Sequence, residues 1–134
     1  MRKFIAILMM VLCVMGLSAC GGNVKNVQIT DYSSEIYSNS EIQDAIDVTI
    51  DYFKREFSGC TLTEITYYGD DNLANFQEFA ERTNATEVIV LVSTFDVDES
   101  GGDGSLNPND TYKNWKWILV RSEDGKWKHV DHGY

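Results

Sequence analysis

Core-type residues recur at three- and four-residue spacing at Ile42, Ala45, Ile46, Thr49, Ile50, Phe53 and Phe57. That is the period of one helix face. Ser38 and Glu41 form a capping box ahead of the run, with Tyr37 and Ile42 placed as a hydrophobic staple. Gly59 follows at the position expected for a C′ glycine. The spacing therefore predicts a helix over 39–57. Asp44, Asp47 and Asp51 form an acidic stripe on another face. The pattern then changes period. Residues 60–68 (CTLTEITYY) are β-rich and predict a strand. Leu62 and Ile65 have opposite parity there, which points to a bulge or to burial on both faces. A second, short helix is predicted over 73–82, capped by Asp71 or Asn72. Residues 87–97 (EVIVLVSTFDV) carry a continuous apolar run rich in β-branched residues, as in a central strand covered on both sides. A strand over 112–121 carries Trp115, Trp117 and Leu119 on one face. A tight Asp-Gly turn at 122–125 leads to a last strand over 126–131.

The order helix, strand, helix, strand, strand, strand predicts an α+β domain, with helices packed on one face of a curved four-stranded antiparallel sheet. A length of 134 residues suits one domain. The formal net charge of −10 excludes the phosphate neutralisation that nucleic-acid binding requires. It also opposes electrostatic docking on anionic headgroups.

The first twenty residues read as an address. Arg2 and Lys3 precede a twelve-residue apolar run, Phe4–Met15. That is too short for a spanning helix, which needs ~20 residues, but it suits a signal peptide. Leu17, Ser18, Ala19 and Cys20, followed by two glycines, resemble the lipobox of bacterial lipoproteins. The resemblance implies that residues 1–19 are a signal peptide and that the Cys20 thiol receives diacylglycerol. It places the chain on the outer face of the cell membrane, held by its lipid. Removing 19 residues from 134 leaves 115. Losing Arg2 and Lys3 leaves 9 basic against 21 acidic residues, a charge of −12. Only Cys60 then remains as a thiol, so no internal disulfide forms. Residues 20–37 read as a polar tether holding the domain off the bilayer, with Val27, Ile29 and Tyr32 able to fold back as a sheet edge. The folded domain is placed at 38–134.

A long amphipathic helix lying across a curved sheet resembles the NTF2-like, or cystatin-like, superfold. Within it, residues 53–62 (FKREFSGCTL), 96–106 (DVDESGGDGSL) and 115–134 (WKWILVRSEDGKWKHVDHGY) resemble a group of uncharacterised small Firmicutes lipoproteins of domain-of-unknown-function type. The superfold implies a cone with an interior that is either open or filled. It hosts enzymes, binders and scaffolds alike, so it implies no one activity.

Three constellations carry candidate chemistry. Asp96, Asp98, Ser100 and Gly101 match the start of a calcium loop, with Asp103 as an extra oxygen. Asn107 stands where the bidentate Glu belongs, and no helix follows. The same residues also read as a solvated hairpin loop. His129, Asp131 and His132 are metal-ligand and acid–base types, but strand parity sends His132 away from the other two unless the chain turns at Gly133. Tyr67, Trp115, Trp117 and Trp127 supply aromatic area for a binding cavity or for the core. No phosphate loop, G-x-S-x-G elbow or H-E-x-x-H motif is present. The leading expectation is a lipid-anchored, non-catalytic extracytoplasmic module, without a cofactor, that recognises an envelope protein or a small ligand. Its rivals are a small-ligand enzyme using a pocket carboxylate and a calcium-dependent structural module.

Overall fold

The computed structural model describes residues 21–134 apart from residue 124. One mixed sheet organises them, in the order β1 (Gln28–Ile29), β2 (Cys60–Tyr67), β3 (Glu87–Val97), β4 (Thr111–Arg121) and β5 (Lys128–Gly133). β1 runs parallel to β2, and every other neighbouring pair is antiparallel. The expected four strands are therefore joined by a fifth, only two residues long. Strand β5 is also displaced along the chain, starting at Lys128 rather than 126.

Helix α1 (Asn39–Glu56) starts as the capping box dictates. Glu41 N–H donates to Ser38 Oγ at 3.2 Å, and Ser38 N–H donates to Glu41 Oε1 at 2.9 Å. Ile42, Ala45, Ile46, Thr49 and Phe53 are its buried stripe, as the spacing predicts. Gly59 sits one residue further out than expected, at φ +75°, because the cap is Phe57. A Cβ there would lie 2.9 Å from Asp98 Oδ1, so the glycine lets the long loop close in.

The second helical region departs from expectation. A 3₁₀ segment over Asp70–Phe76 precedes α2 (Gln77–Arg82). Leu73 packs with the α1-side core, whereas Phe76, Phe79 and Ala80 pack with the other side. One continuous helical stripe cannot serve both faces, and the tighter 3₁₀ turn makes the change. The expectation of helices on one face is thereby corrected. Helix α1 covers the face of Ile89, Leu91 and Phe95, and α2 covers part of the face of Val88, Val90, Ile118 and Val120. The covering of β3 on both sides agrees with its unbroken apolar run.

Three bulges shape the α1 face. The register slips at Thr63 in β2, at Lys113–Asn114 in β4 and at Val130 in β5. Each slip brings residues three apart onto one face: Leu62 with Ile65, Tyr112 with Trp115, and His129 with His132. The first pair explains the opposite parity noted in the sequence, since both are fully buried in one cluster.

The segment expected as a stand-off tether is docked instead, from its first described residue. Gly22 N–H donates to Lys54 O at 2.9 Å, Asn23 N–H to Cys60 O at 2.8 Å, and Leu62 N–H to Asn23 O at 3.0 Å. A Cβ on Gly22 would fall 2.8 Å from the Phe53 ring, so glycine is what permits this approach. Val24, Val27 and Tyr32 pack on the core, and Ile29 pairs beside Ile65. The fold-back as an edge is as anticipated, and the packed unit begins at 21 rather than 38. Cys20 and residues 1–19 lie outside the described residues.

Candidate functional site

The two ends of α1 carry different chemistry. Near its N-terminus, Arg121 pairs with both Glu41 and Glu87 and lies 4.4 Å over the Trp127 ring. The indole N–H of Trp127 donates to Glu41 O at 3.0 Å. Tyr37 stands edge-on to Trp127 and to Tyr67. Its hydroxyl donates to Val88 O at 2.8 Å, and burial pushes its pKa up to about 12. Tyr67 donates to Asp70 Oδ1 at 2.7 Å. Asp70 also accepts from Ser34 Oγ at 2.6 Å and from Glu35 N–H at 2.8 Å, bonds that hold its carboxyl below the usual range. Tyr67 and Trp127 are thus structural partners, 5% and 6% exposed.

Trp117 lies in the middle, fully buried, its indole N–H donating to Ser93 Oγ at 2.7 Å. It is core. Of the four aromatic candidates, Trp115 lines the cavity at the C-terminal end of α1, whereas Trp127 borders a separate, shallow groove beside Asp44, Asp47 and Val48.

That cavity lies at the C-terminal end of α1 and encloses about 280 Å³. Its walls include Tyr52, Glu56, Phe57, Cys60, Trp115 and His132, closed on one side by the loop residues Gly102, Asp103 and Leu106. The rings pack on one another: Phe57 with Trp115 at 6.3 Å between centroids, Phe57 with His132 at 5.4 Å, and Trp115 stacked on His132 at 5.8 Å. Trp115 Nε1 is buried and has no hydrogen-bond partner among the described residues. Cys60 is a free, buried thiol; burial, helped by the Asp98 and Asp103 carboxylates, pushes its pKa up to about 11. It is a protonated wall residue rather than a nucleophile.

The β5 bulge delivers what the parity of the sequence withheld. His132 Nδ1 and His129 Nε2 lie 3.2 Å apart, and the Tyr52 ring lies against His129 at 4.0 Å between centroids, tilted by 30°. Burial, then the neighbouring His132, pushes the His129 pKa down to about 4 against the opposing pull of Asp131. Burial lowers His132 as well. The pair is neutral near pH 7. Asp131 is exposed on the other side, so the expected partnership of His129 with Asp131 gives way to one with His132.

The acidic loop is tied up by itself. Asp98 Oδ1 accepts from Ser100 N–H at 2.8 Å and from its hydroxyl; Asp103 Oδ1 accepts from Ser105 N–H at 2.9 Å and from its hydroxyl. These bonds hold both carboxyls below the usual range. Asp96 accepts from Thr111 Oγ1 at 2.6 Å. The calcium candidates Asp98, Ser100 and Asp103 therefore make turn-setting bonds within the loop, and Asp96 makes a cross-strand bond from β3 to β4. Among the described residues no three His, Cys, Asp or Glu side chains converge as a metal site would require.

No family model, curated protein or solved structure matches this chain. Among the described residues no helix is long and apolar enough to cross a membrane.

Tyr52, Glu56 and Phe57 are the cavity residues that sequence reasoning does not single out for the site. Tyr52 and Phe57 flank the buried stripe of α1 at its last turn, and that placement was readable. The approach of His132 was not, because it depends on one extra residue in β5.

Proposed function

We propose that this chain is a lipid-anchored extracytoplasmic binding module. Cys20 carries the diacylglycerol, residues 1–19 are the export signal, and the domain recognises a small ligand or an envelope protein from the outer face of the membrane. The observation that supports recognition is the cavity at the C-terminal end of α1, walled by Tyr52, Phe57, Trp115 and His132. Concave aromatic walls with a few polar groups are the general form of a ligand site. The NTF2-like cone accords with a long helix laid across one sheet face, and in that reading the cavity is the open end of the cone. A pocket acid would need a carboxyl of raised proton affinity. The described carboxyls that depart from the ordinary, Glu41, Asp70, Asp98 and Asp103, all move down. That favours binding over acid catalysis.

The test is covalent capture from intact cells expressing the native chain, with Cys20→Ala alongside and palmitate labelling read in parallel. The expected result is label on the native chain alone, together with one partner or bound small molecule enriched with it. Equal labelling of Cys20→Ala refutes the anchor. A chain that emerges with neither partner nor bound molecule refutes recognition.

A further inference from the structure

The cavity's lining is one-sided in charge. It holds the carboxylates of Glu56 and Asp103 and no lysine or arginine. Four of the other nine lining residues carry rings, Tyr52, Phe57, Trp115 and His132, and these pack on one another. Aromatic faces carry negative quadrupole charge and attract cations, most strongly those that shed water easily. A hard metal ion instead wants several converging oxygens, and among the described residues no three His, Cys, Asp or Glu side chains converge here. Asp103 is kept ionised by two hydrogen bonds from Ser105. Among the described residues the Glu56 carboxylate has no partner, and it stands exposed at the rim. The chain as a whole carries a charge of −10, which draws cations toward it.

We propose that this cavity takes an organic ammonium ion, held over the rings of Tyr52, Phe57 and Trp115 with Glu56 and Asp103 at its edge. The proposal rests on the recognition reading above and names its ligand class. The ammonium group comes either from a free small molecule or from a lipid headgroup, and both present the same chemistry to the rings.

The experiment titrates the full-length, lipidated protein in nonionic detergent with tetramethylammonium chloride, following tryptophan fluorescence. Choline chloride with its neutral isostere 3,3-dimethylbutan-1-ol, and calcium chloride, are run in parallel, and the isostere is compared with choline. The expected result is a saturable response to tetramethylammonium and to choline, about tenfold weaker for the isostere than for choline. Glu56→Gln and Asp103→Asn should each weaken it by about two- to fivefold. Trp115→Phe should remove most of the signal while circular dichroism stays unchanged. Equal affinity for the isostere overturns the cation assignment and leaves a plain apolar pocket, with the recognition reading intact. An equal response to calcium makes the effect one of bulk charge and overturns it too. A flat response to every probe also overturns it, and the capture experiment then judges recognition independently. Reconstitution into phosphatidylcholine or phosphatidylglycerol vesicles separates the two sources. Loss of the tetramethylammonium response in phosphatidylcholine alone identifies the headgroup, and retention in both identifies a free ligand.

Discussion

His129 sits against Tyr52, Trp117 and His132, and that company has a thermodynamic consequence. Its pKa falls from 6.5 to about 4 on folding. Between those values the unfolded chain binds the extra proton. The contribution of His129 is therefore fully present above pH ~6.5 and is lost as pH drops toward 4, with a slope of at most ~1.4 kcal/mol per pH unit for one site. Urea unfolding between pH 4.5 and 7 of the native chain and of His129→Phe should show a flatter profile for the variant. Parallel profiles would mean that the histidine is solvated. Ser93 offers a second residue-scale check. Ser93→Ala leaves the buried Trp117 N–H without its acceptor and should cost about 1–3 kcal/mol. A loss near zero would mean that water replaces the hydroxyl. Tryptophan parity along β4 was legible in the sequence, since Trp115, Trp117 and Leu119 do share the α1 face. Their division into one wall residue and two core residues was not, because it depends on where α1 ends above them.

Helix α1 was the most legible element. Its capping box, period and bounds all follow from short-range physics, and they match within a residue. Phe53 is fully buried among Phe57, Phe95 and Trp117, so Phe53→Ala should cost ~3–5 kcal/mol in chemical denaturation. A loss below ~1 kcal/mol would place the wrong face inward. Ser38→Ala removes one half of the capping box and should cost about 0.5–2 kcal/mol. An unchanged denaturation midpoint would show that the N-terminal turn frays in solution. The 3₁₀ segment before α2 was illegible for a long-range reason. Leu73 and Phe76 look like one stripe in sequence, yet they answer to opposite faces of the sheet. Strand β1 was legible only as a possible sheet edge around Val27, Ile29 and Tyr32, because two residues carry too little pattern to fix its bounds.

At the scale of the whole molecule, the docked N-terminal segment matters most. Composition had pointed to a spacer, since residues 21–37 are polar and short of periodic apolar positions. Pairing with β2 and with the end of α1 overrides that composition through backbone hydrogen bonds, which sequence does not display. Hydrogen exchange tests the docking directly. The amides of Asn23 and Leu62, bonded to Cys60 O and Asn23 O, should exchange far more slowly than that of Lys25, which is bonded only to the neighbouring Asn23 side chain. Rapid exchange at Asn23 would restore the free spacer.

The hydrogen bond from Gly22 to Lys54 also sets how the molecule would be moored. Two trans peptides separate Cys20 from Gly22 and span at most ~7.6 Å at ~3.8 Å each, so a lipid on Cys20 would leave little slack. The acyl chains would emerge beside the last turn of α1, the same turn that supplies Tyr52, Glu56 and Phe57 to the cavity. A protein held this way trades a three-dimensional search for a two-dimensional one. Its encounters would be governed by the lateral density of molecules at the bilayer surface, and their supply would follow membrane composition more closely than bulk concentration.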